Sequence, residues 1–470
     1  MSRRISPKRC ASITSSSTGT WRRRPSSARP SSSCCWRVAG GGTAVAEGLA
    51  RRRLPGRLLS ALLCLCFCLS PAGCWGYREI DETAHVVALG VDRGEHNVLT
   101  VTAQLVIPKG IAGPPGGGGG GGGNGGPNKT FFVVSVDAPT VFGALELLNA
   151  FVDRRAKLDH TKVIVFSREL AREGIRHHLD PLARYREFRR STFVMVAEGK
   201  ARDLLEKSAP ILEDNPAKYY ESLFLGYKYT EFIPLAQYHY FYNAEKSLAQ
   251  VPVAILGSLG GSRPFPEGRT PKSKGSSLAG GVPRRGGPRL EIMGGAVFRG
   301  GRLVGEMNGD ETGIANMLRG TFRRTIVSIE DPHTGGRFVV VDVRLRRRPR
   351  VEVAIAGGVP VVRAQVFLEG DLMSVQTGYP YERPQNIPVI EHLVTRHFER
   401  QAHSLVAKSQ NEWQADVFGF GNAARRLAAT WPAWQRLNWP ALYPEADVRI
   451  TFDFRVRRTG LAHETARLRE

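Results

Sequence analysis

The chain has 470 residues, with 66 Lys and Arg against 43 Asp and Glu and with seven Cys, which gives a formal net charge of +23. This length predicts two or three domains, because a single hydrophobic core rarely grows beyond about 250–300 residues. The composition, 42% hydrophobic and 23% charged, excludes a wholly disordered chain. No apolar run approaches the roughly 20 residues that cross a bilayer, which excludes a polytopic membrane protein.

The first 60 residues are strongly basic. They hold 13 of the Lys and Arg residues and a single acidic residue, Glu47, so they account for +12 of the net charge and leave +11 for residues 74–470. Residues 1–44 are rich in Ser and Arg and show no periodicity. We interpret them as a leader outside the native protein, with translation starting near Val45 or Leu49, or else as a disordered arm.

Residues 45–73 have the layout of a bacterial signal peptide. Arginines precede the apolar stretch 58–69, and the small residues Ala72 and Gly73 precede Cys74. About 12 apolar residues are too few for a membrane span and are typical of an export signal. Small residues directly before a cysteine are typical of a lipobox, so we expect cleavage before Cys74 and acylation of that residue. The alternative is an ordinary secretory signal with a chance cysteine.

The distribution of cysteines limits the chemistry of the body. All seven lie at or before residue 74: Cys10, Cys34, Cys35, Cys64, Cys66, Cys68 and Cys74. A disulfide framework, a Cys-ligated zinc site or a cysteine nucleophile needs thiols within the folded part of the chain. The sequence after Cys74 therefore excludes all three.

Strands and helices alternate in residues 74–257, which we predict to be an N-terminal α/β domain. In the stretch 99–107, apolar residues alternate with Thr100, Thr102 and Gln104, so we expect one buried face and one face in solvent. The predicted strands are 84–91, 99–107, 131–136, 162–166 and 192–197, and the predicted helices are 141–153, 168–184 and one starting at 200.

Two stretches interrupt this pattern. The Gly-rich stretch 113–128 lacks the Gly-Lys-Ser/Thr sequence that leads into a helix in a phosphate-binding loop, so we interpret it as a flexible insertion. Residues 258–290 are rich in Gly, Pro and Ser and are interpreted as a linker or long loop.

Residues 291–470 are predicted to form a C-terminal α/β domain, as one unit or as two subdomains. The fold class expected for the whole body is therefore α+β or mixed α/β, with several domains in which mixed β-sheets are flanked by helices. Its predicted elements are a hairpin around Gly300-Gly301, a helix capped near Asn308 and running through Leu318, strands at 337–345, 351–355, 362–368 and 448–456, and an amphipathic helix over 387–408.

The search for catalytic or metal-binding residues finds none that we assign. On a helix, His392 and His397 lie roughly 140° apart around the axis, so we expect them to face different ways, and His403 lies about 16 Å along the axis from His392. Asp159-His160 and His177-His178 lack further ligands at a suitable spacing. We predict no catalytic, metal or cofactor site and no cofactor.

The charge of the body does not indicate nucleic-acid binding. Its basic residues are scattered, and runs such as 346–350 are short, without the interleaved aromatic residues that nucleic-acid surfaces use. For an exported, tethered protein, anionic lipid headgroups or cell-wall polyanions are the more plausible partners.

A family resemblance extends from about residue 74 to residue 461. In the N-terminal half it rests on Cys74-Trp75 with Arg78-Glu79-Ile80, Val87-Ala-Leu-Gly-Val-Asp92, Lys162-Val-Ile-Val, Glu169-Leu with Gly174-Ile175, Phe188-Arg-Arg190 and Val196-Ala-x-Gly-Lys200. In the C-terminal half it rests on Gly295-Ala-Val-Phe298, Leu303-Val-Gly305, Asn308-Gly-x-Glu-Thr312, Asp416-Val-Phe-Gly-Phe-Gly421, Trp439, Pro444 and Arg457-Arg-Thr-Gly460. In order and spacing these motifs resemble the Ger(x)C family, the lipoprotein C subunits of bacterial spore nutrient-germinant receptors.

This resemblance implies a non-enzymatic subunit that is anchored through acylated Cys74 on the outer face of the spore inner membrane. There it would act with a membrane-embedded A subunit and a transporter-like B subunit, without a cofactor. We interpret residues 418–421 as structural, with glycines that end a helix and aromatic rings packed beneath it. The alternative function is that of a stand-alone exported lipoprotein that binds a small molecule or a wall polyanion.

Overall fold

A computed structural model of the chain describes residues 82–108, 130–208, 210–264 and 274–460, together with residues 60 and 79. The predicted leader 1–44, the signal peptide 45–73 apart from Ser60, Cys74 and the insertion 113–128 lie outside the described residues. The chain divides into two compact units, Met1–Tyr77 and Arg78–Glu470, and the fold below is that of the second unit.

A nine-stranded mixed sheet forms the first half of this unit. Its strand order is β3-β2-β1-β5-β6-β7-β8-β9, with the short β4 pairing in parallel with β1. The central strands β1, β5, β6 and β7 run parallel, and the outer strands pair antiparallel. The strands are β1 (Thr83–Arg93), β2 (Leu99–Val106), β3 (Phe131–Ala138), β4 (Arg155–Lys157), β5 (Val163–Ser167), β6 (Phe193–Ala197), β7 (Val253–Leu259), β8 (Leu290–Arg299) and β9 (Arg302–Met307).

Helices cover both faces of the centre of this sheet. Ile164 and Phe166 of β5 belong to one apolar core, and Val163 and Val165 to another on the opposite face. The sequence of such a strand is a continuous apolar run, because parallel strands in the centre of a sheet are buried on both faces. The helices are α1 (Val141–Leu148), α2 (Arg168–Glu173), α3 (Arg176–Arg184), α4 (Ala201–Lys207), α5 (Pro216–Phe224) and α6 (Tyr238–Glu245).

The helix predicted over 168–184 is two helices, α2 and α3. Gly174 has a φ of +134°, which only glycine adopts readily, and its N–H closes α2 on the carbonyl oxygen of Leu170 at 2.8 Å. The next N–H, that of Ile175, donates to the carbonyl oxygen of Gly301 at 2.8 Å. The chain therefore leaves the helical path at Gly174 and binds the β8–β9 turn before α3 begins.

The prediction that β2 exposes one face is wrong. Thr100, Thr102 and Gln104 are buried, since α4 packs across β1 and β2 on that side. The Gln104 side-chain amide donates to the carbonyl oxygen of Leu205 in α4 at 3.4 Å, and the Thr102 hydroxyl bonds that of Ser135 at 2.8 Å. The Thr102 hydroxyl and the Gln104 amide N–H are therefore buried with hydrogen-bond partners, whereas Oε1 of Gln104 is buried without one.

The second sheet has the order β10-β11-β12-β13, with β12 and β13 parallel and the other pairs antiparallel. The predicted alternation at 448–456 is confirmed in β13, where Ile450, Phe452 and Phe454 are buried. The strands are β10 (Arg324–Glu330), β11 (Phe338–Ala356), β12 (Val359–Val375) and β13 (Asp447–Arg458), and the helices are α7 (Gly309–Arg319), α8 (Ile387–Asn411), α9 (Gly421–Ala424), α10 (Trp431–Leu437) and α11 (Trp439–Leu442).

Other sequence predictions for residues 291–470 are confirmed. The hairpin turns at Gly300-Gly301 between β8 and β9, and Asn308 and Glu311 form a capping box at the start of α7. The predicted stripe of α8 is buried against the second sheet: Ile390, Val394, Phe398, Ala402 and Leu405. This packing places α8 beside β13 and β10 and forms the main core of the C-terminal half.

The segment 258–290 joins two neighbouring strands of one sheet. β7 and β8 pair antiparallel, and the described part of their connection folds back on them, with Ala279 buried. The N–H of Gly280 donates to Glu291 in β8 at 2.7 Å. The nine-stranded sheet therefore extends through this segment into residues 290–307, which the sequence had assigned to the C-terminal domain.

Candidate functional site

The predicted acylation site, Cys74, lies outside the described residues, so its acylation stays a prediction. None of the helices in the described part of the chain is long and apolar enough to cross a membrane. Within the described residues, the candidate sites include a cleft, a histidine–aspartate cluster and a loop around a buried carboxylate.

A cavity of about 580 Å³ lies between β10 with its following turn and the exposed side of α8. A second cavity of about 420 Å³ shares Ser328 and His397 with the first and reaches Glu231 and Lys274. We call this pair of cavities the β10–α8 cleft. The charged and polar residues of its first cavity are Ser328, Glu330, Asp331, His392, Arg396, His397 and Arg400.

The α8 side of the cleft is cationic. Burial lowers the pKa of His397 to about 4, with Arg400 and Lys274 acting in the same direction, so this imidazole is neutral at pH 7. Arg396 lies 3.6 Å from Glu399 on the same helix, whereas Arg400 has no ion-pair partner among the described residues. The two guanidinium groups are therefore the groups in this cleft that suit an anion.

The acidic side of the cleft is already engaged in holding the fold. Asp331 accepts hydrogen bonds from the hydroxyls of Thr377 at 2.6 Å and Tyr381 at 2.8 Å, and from the N–H of His333 at 2.8 Å. Glu330 accepts from the N–H of Gly336 at 2.8 Å. Both carboxylates of the first cavity are therefore occupied by hydrogen bonds within the fold.

His392 and His397 lie in different directions around α8, and both line the first cavity. The cavity is wide enough to wrap around the side of α8, so it reaches positions roughly 140° apart on the helix. His403 is exposed farther along the helix and does not line this cavity. Among the described residues these three histidines form no group of metal-ligand atoms within mutual reach.

Asp159 and His160 have a neighbour that sequence spacing did not show. The Nδ1 atom of His85 lies 3.2 Å from Oδ1 of Asp159, and Nε2 of His160 lies 3.9 Å from Oδ2. The two imidazole rings meet edge to face, with their centroids 4.5 Å apart. The parallel pairing of β1 with β4, which sets His85 opposite Lys157, brings these distant residues together.

His177 and His178 lie on α3. Burial lowers the pKa of His178, with His177 acting in the same direction. Within the part of the chain that the structure describes, no third ligand-bearing side chain completes a group around this pair.

The loop over 416–421 surrounds a buried carboxylate. Asp416 accepts from the N–H groups of Gly419 and Gly421, each at 2.8 Å, and from the indole N–H of Trp439 at 2.9 Å. Phe418 and Phe420 are both buried and stack on each other. The aromatic rings therefore pack into the core, which agrees with a structural role for the loop.

The glycines of this loop do not end a helix as the sequence had suggested. Gly419 has a φ of +76° in the loop, and Gly421 is the first residue of the short helix α9. At Gly421 a Cβ would lie 2.3 Å from the carbonyl oxygen of Ala249. The glycine permits close contact between this loop and the segment that leads into β7.

The fold and these features define a class: a mixed α/β protein with two sheets flanked by helices and with polar surface clefts. Residues 76–256 match the family described as "Spore germination protein N-terminal domain", and residues 293–460 match "Spore germination B3/ GerAC like, C-terminal". The chain belongs to the Ger(x)C family of spore germination proteins.

Relatives match along most of their length. The chain is 26% identical over 412 residues to spore germination protein KC of Bacillus subtilis (strain 168), covering 86% of this chain and 96% of that one. It is 24% identical over 435 residues to spore germination protein YndF of the same organism, covering 87% and 98%. The crystal structure of the GerBC protein aligns at 18% identity with a TM-score of 0.46, covering 78% of this chain and 96% of that chain.

Proposed function

We propose that this protein is a non-enzymatic, lipid-anchored subunit of a spore nutrient germinant receptor. It is held on the outer face of the spore inner membrane through acylated Cys74 and acts through contacts with a membrane-embedded A subunit and a transporter-like B subunit. The observation that carries the proposal is the match of both family regions, residues 76–256 and 293–460, in a body that begins directly after the predicted lipobox cysteine.

The chemistry of the described residues supports a binding role. The β10–α8 cleft holds a neutral His397 and an acidic side whose Asp331 is saturated by its own hydrogen bonds. Two acyl chains on one cysteine give a stable hold on a membrane.

Purification from spores tests the partnership. A tagged full-length chain is isolated from detergent-solubilised spore inner membranes, and we expect A-type and B-type subunits to co-purify. Cys74→Ala is expected to lose membrane attachment, whereas the matched change Cys68→Ala, within the apolar part of the signal, leaves it intact. Deletion is expected to abolish germination with at least one amino acid or sugar. If Cys74→Ala stayed with the membrane fraction as completely as the unaltered chain, this result would contradict anchoring through Cys74.

A stand-alone binding lipoprotein is the second candidate, favoured by the β10–α8 cleft with Arg396 and Arg400 at its edge. Such a protein would capture a small anion or a wall polyanion by itself. Recovery of the membrane-attached chain without A-type or B-type subunits would favour it over the receptor subunit.

A further inference from the structure

We propose that His85, Asp159 and His160 form a binding site for one divalent transition-metal ion of the zinc class on the N-terminal half of the protein. The proposal does not depend on acylation of Cys74 or on receptor partners, because all three ligands belong to this chain's own sheet and the turn beside it.

The ligand atoms are already close to coordination spacing. Zinc bonds to imidazole nitrogen and carboxylate oxygen of about 2.0–2.1 Å, set at tetrahedral angles, place neighbouring ligand atoms roughly 3.3–3.4 Å apart. The His85 Nδ1 to Asp159 Oδ1 distance is 3.2 Å, and that from His160 Nε2 to Asp159 Oδ2 is 3.9 Å. All three ligand atoms lie within 4.8 Å of one another. Against the spacing of about 3.3 Å that a tetrahedral ion sets between ligand atoms, closing on an ion therefore needs side-chain movements of at most about 1.5 Å.

The backbone holds the turn that carries Asp159 and His160. On one side of the turn, β4 pairs with β1, with Lys157 opposite His85. On the other side, the Thr161 hydroxyl donates to the carbonyl oxygen of Val86 at 3.0 Å. The turn is thus fastened to the His85 strand at both ends, which pre-organises the ligands.

A hydroxyl beside the cluster can orient the His85 ring. The free ring nitrogen of His85, Nε2, lies 3.5 Å from the Thr83 hydroxyl, a position in which outer hydrogen-bond partners orient metal-bound histidines. Lys162, which directly precedes β5, is paired with Glu221 at 2.7 Å.

A simple ion pair between His85 and Asp159 is the competing explanation. It does not account for His160, whose ring meets that of His85 edge to face while its Nε2 points to the same carboxylate. The side chains are 29%, 33% and 48% exposed for His85, Asp159 and His160, so water can reach the group and complete the coordination. Two imidazoles and one carboxylate suit Zn²⁺, Co²⁺ or Ni²⁺ and disfavour Mg²⁺ and Ca²⁺, which require oxygen ligands.

Metal titration of the full-length chain in detergent tests the site. Its thiols are first alkylated, since the cysteines at or before residue 74 would otherwise bind zinc. Titration calorimetry with Zn²⁺ and the visible absorption of bound Co²⁺ are expected to show one site per chain, with Mg²⁺ not competing. His85→Ala, Asp159→Asn and His160→Ala are each expected to weaken binding at least tenfold.

His177→Ala, which removes an exposed histidine from α3, serves as the matched control and is expected to bind like the unaltered chain. Circular dichroism checks the fold of each variant, and His160→Ala carries the test if the strand variant His85→Ala unfolds, because His160 lies in an exposed turn. Absence of a one-to-one site in the unaltered chain, or equal affinity of the unaltered chain and His160→Ala, would overturn the proposal.

Discussion

The indole N–H of Trp439 donates to Oδ2 of Asp416 at 2.9 Å, and both residues are buried. The same carboxylate accepts the N–H groups of Phe418, Gly419 and Gly421. Four donors therefore converge on two oxygens, and the loop after α8 is folded around them. A buried donor that loses its acceptor costs about 1–3 kcal/mol, so this arrangement fixes the loop.

Asp416→Asn is expected to lower the free energy of unfolding by about 2–4 kcal/mol, because an amide replaces one accepting oxygen by a donor and leaves two N–H groups without an acceptor. Urea unfolding followed by tryptophan fluorescence measures the loss. Asp447→Asn, which alters an exposed aspartate paired with Arg449, is the control and is expected to change stability by less than about 0.5 kcal/mol. Equal midpoints for the two variants would contradict the structural role of Asp416.

Gly421→Ala tests the contact between this loop and the segment before β7. The added Cβ would lie 2.3 Å from the carbonyl oxygen of Ala249 and 2.5 Å from Cδ1 of Trp439, so backbone must move. We expect a loss of about 1–3 kcal/mol in the free energy of unfolding, as overpacking of a core usually costs. Gly199→Ala is the matched control, since a Cβ there meets nothing within 4 Å. A loss of equal size in both variants would show that the close approach is not the cause.

Local patterns predicted the elements whose burial depends on one face. The stripe of α8 and the alternation of β13 follow from periods of about 3.6 and 2 residues, and both are confirmed. The burial of Thr102 and Gln104 was not predicted, because the helix that covers them, α4, lies about 100 residues later in the chain. The spacing of apolar residues along β2 carries no information about that contact.

Strand pairing accounts for the other differences. The sequence predicted two strands, at 337–345 and 351–355, whereas β11 is one strand over Phe338–Ala356 that runs through Pro349. The pairing of β11 with β10 ends at Arg344, and its register with β12 shifts between Arg347 and Arg350. Pro349 therefore lies at a bulge on a strand edge, where the missing backbone N–H of proline is tolerated. The His85 cluster was missed for a similar reason, since the pairing of β1 with β4 assembles it.

Asn308→Ala tests the capping box of α7. The Asn308 side chain accepts the N–H of Glu311 at 2.9 Å, and the Glu311 carboxylate accepts the N–H of Asn308 at 2.8 Å. We expect a loss of about 1 kcal/mol in the free energy of unfolding, within the usual range of about 0.5–2 kcal/mol for a lost N-cap. Gln237→Ala is the control, because Gln237 occupies the N-cap of α6 without a side-chain capping bond. A control loss as large as that of Asn308→Ala would count against the capping box as the cause.

His397 predicts an acid-sensitive step in stability. Its pKa is lowered to about 4 by burial, with Arg400 and Lys274 adding to the effect, against an ordinary value of 6.5. Because the unfolded chain binds this proton more readily than the folded one, stability is complete above pH 6.5 and falls as the pH drops from 6.5 towards 4. Each pKa unit corresponds to about 1.4 kcal/mol, which sets an upper bound of about 3.5 kcal/mol for this group.

We expect His397→Gln to remove this part of the pH dependence, measured as the difference in urea midpoint between pH 7 and pH 4.5. His403→Gln removes an exposed histidine from the same helix and is expected to keep the dependence of the unaltered chain. The variant His397→Gln is compared with the unaltered chain at each pH, so any loss of packing that is the same at both pH values cancels. If the difference in urea midpoint between pH 7 and pH 4.5 were the same in His397→Gln as in the unaltered chain, the pH dependence would come from another group. The pKa of His397 would then not be lowered by its position between β10 and α8.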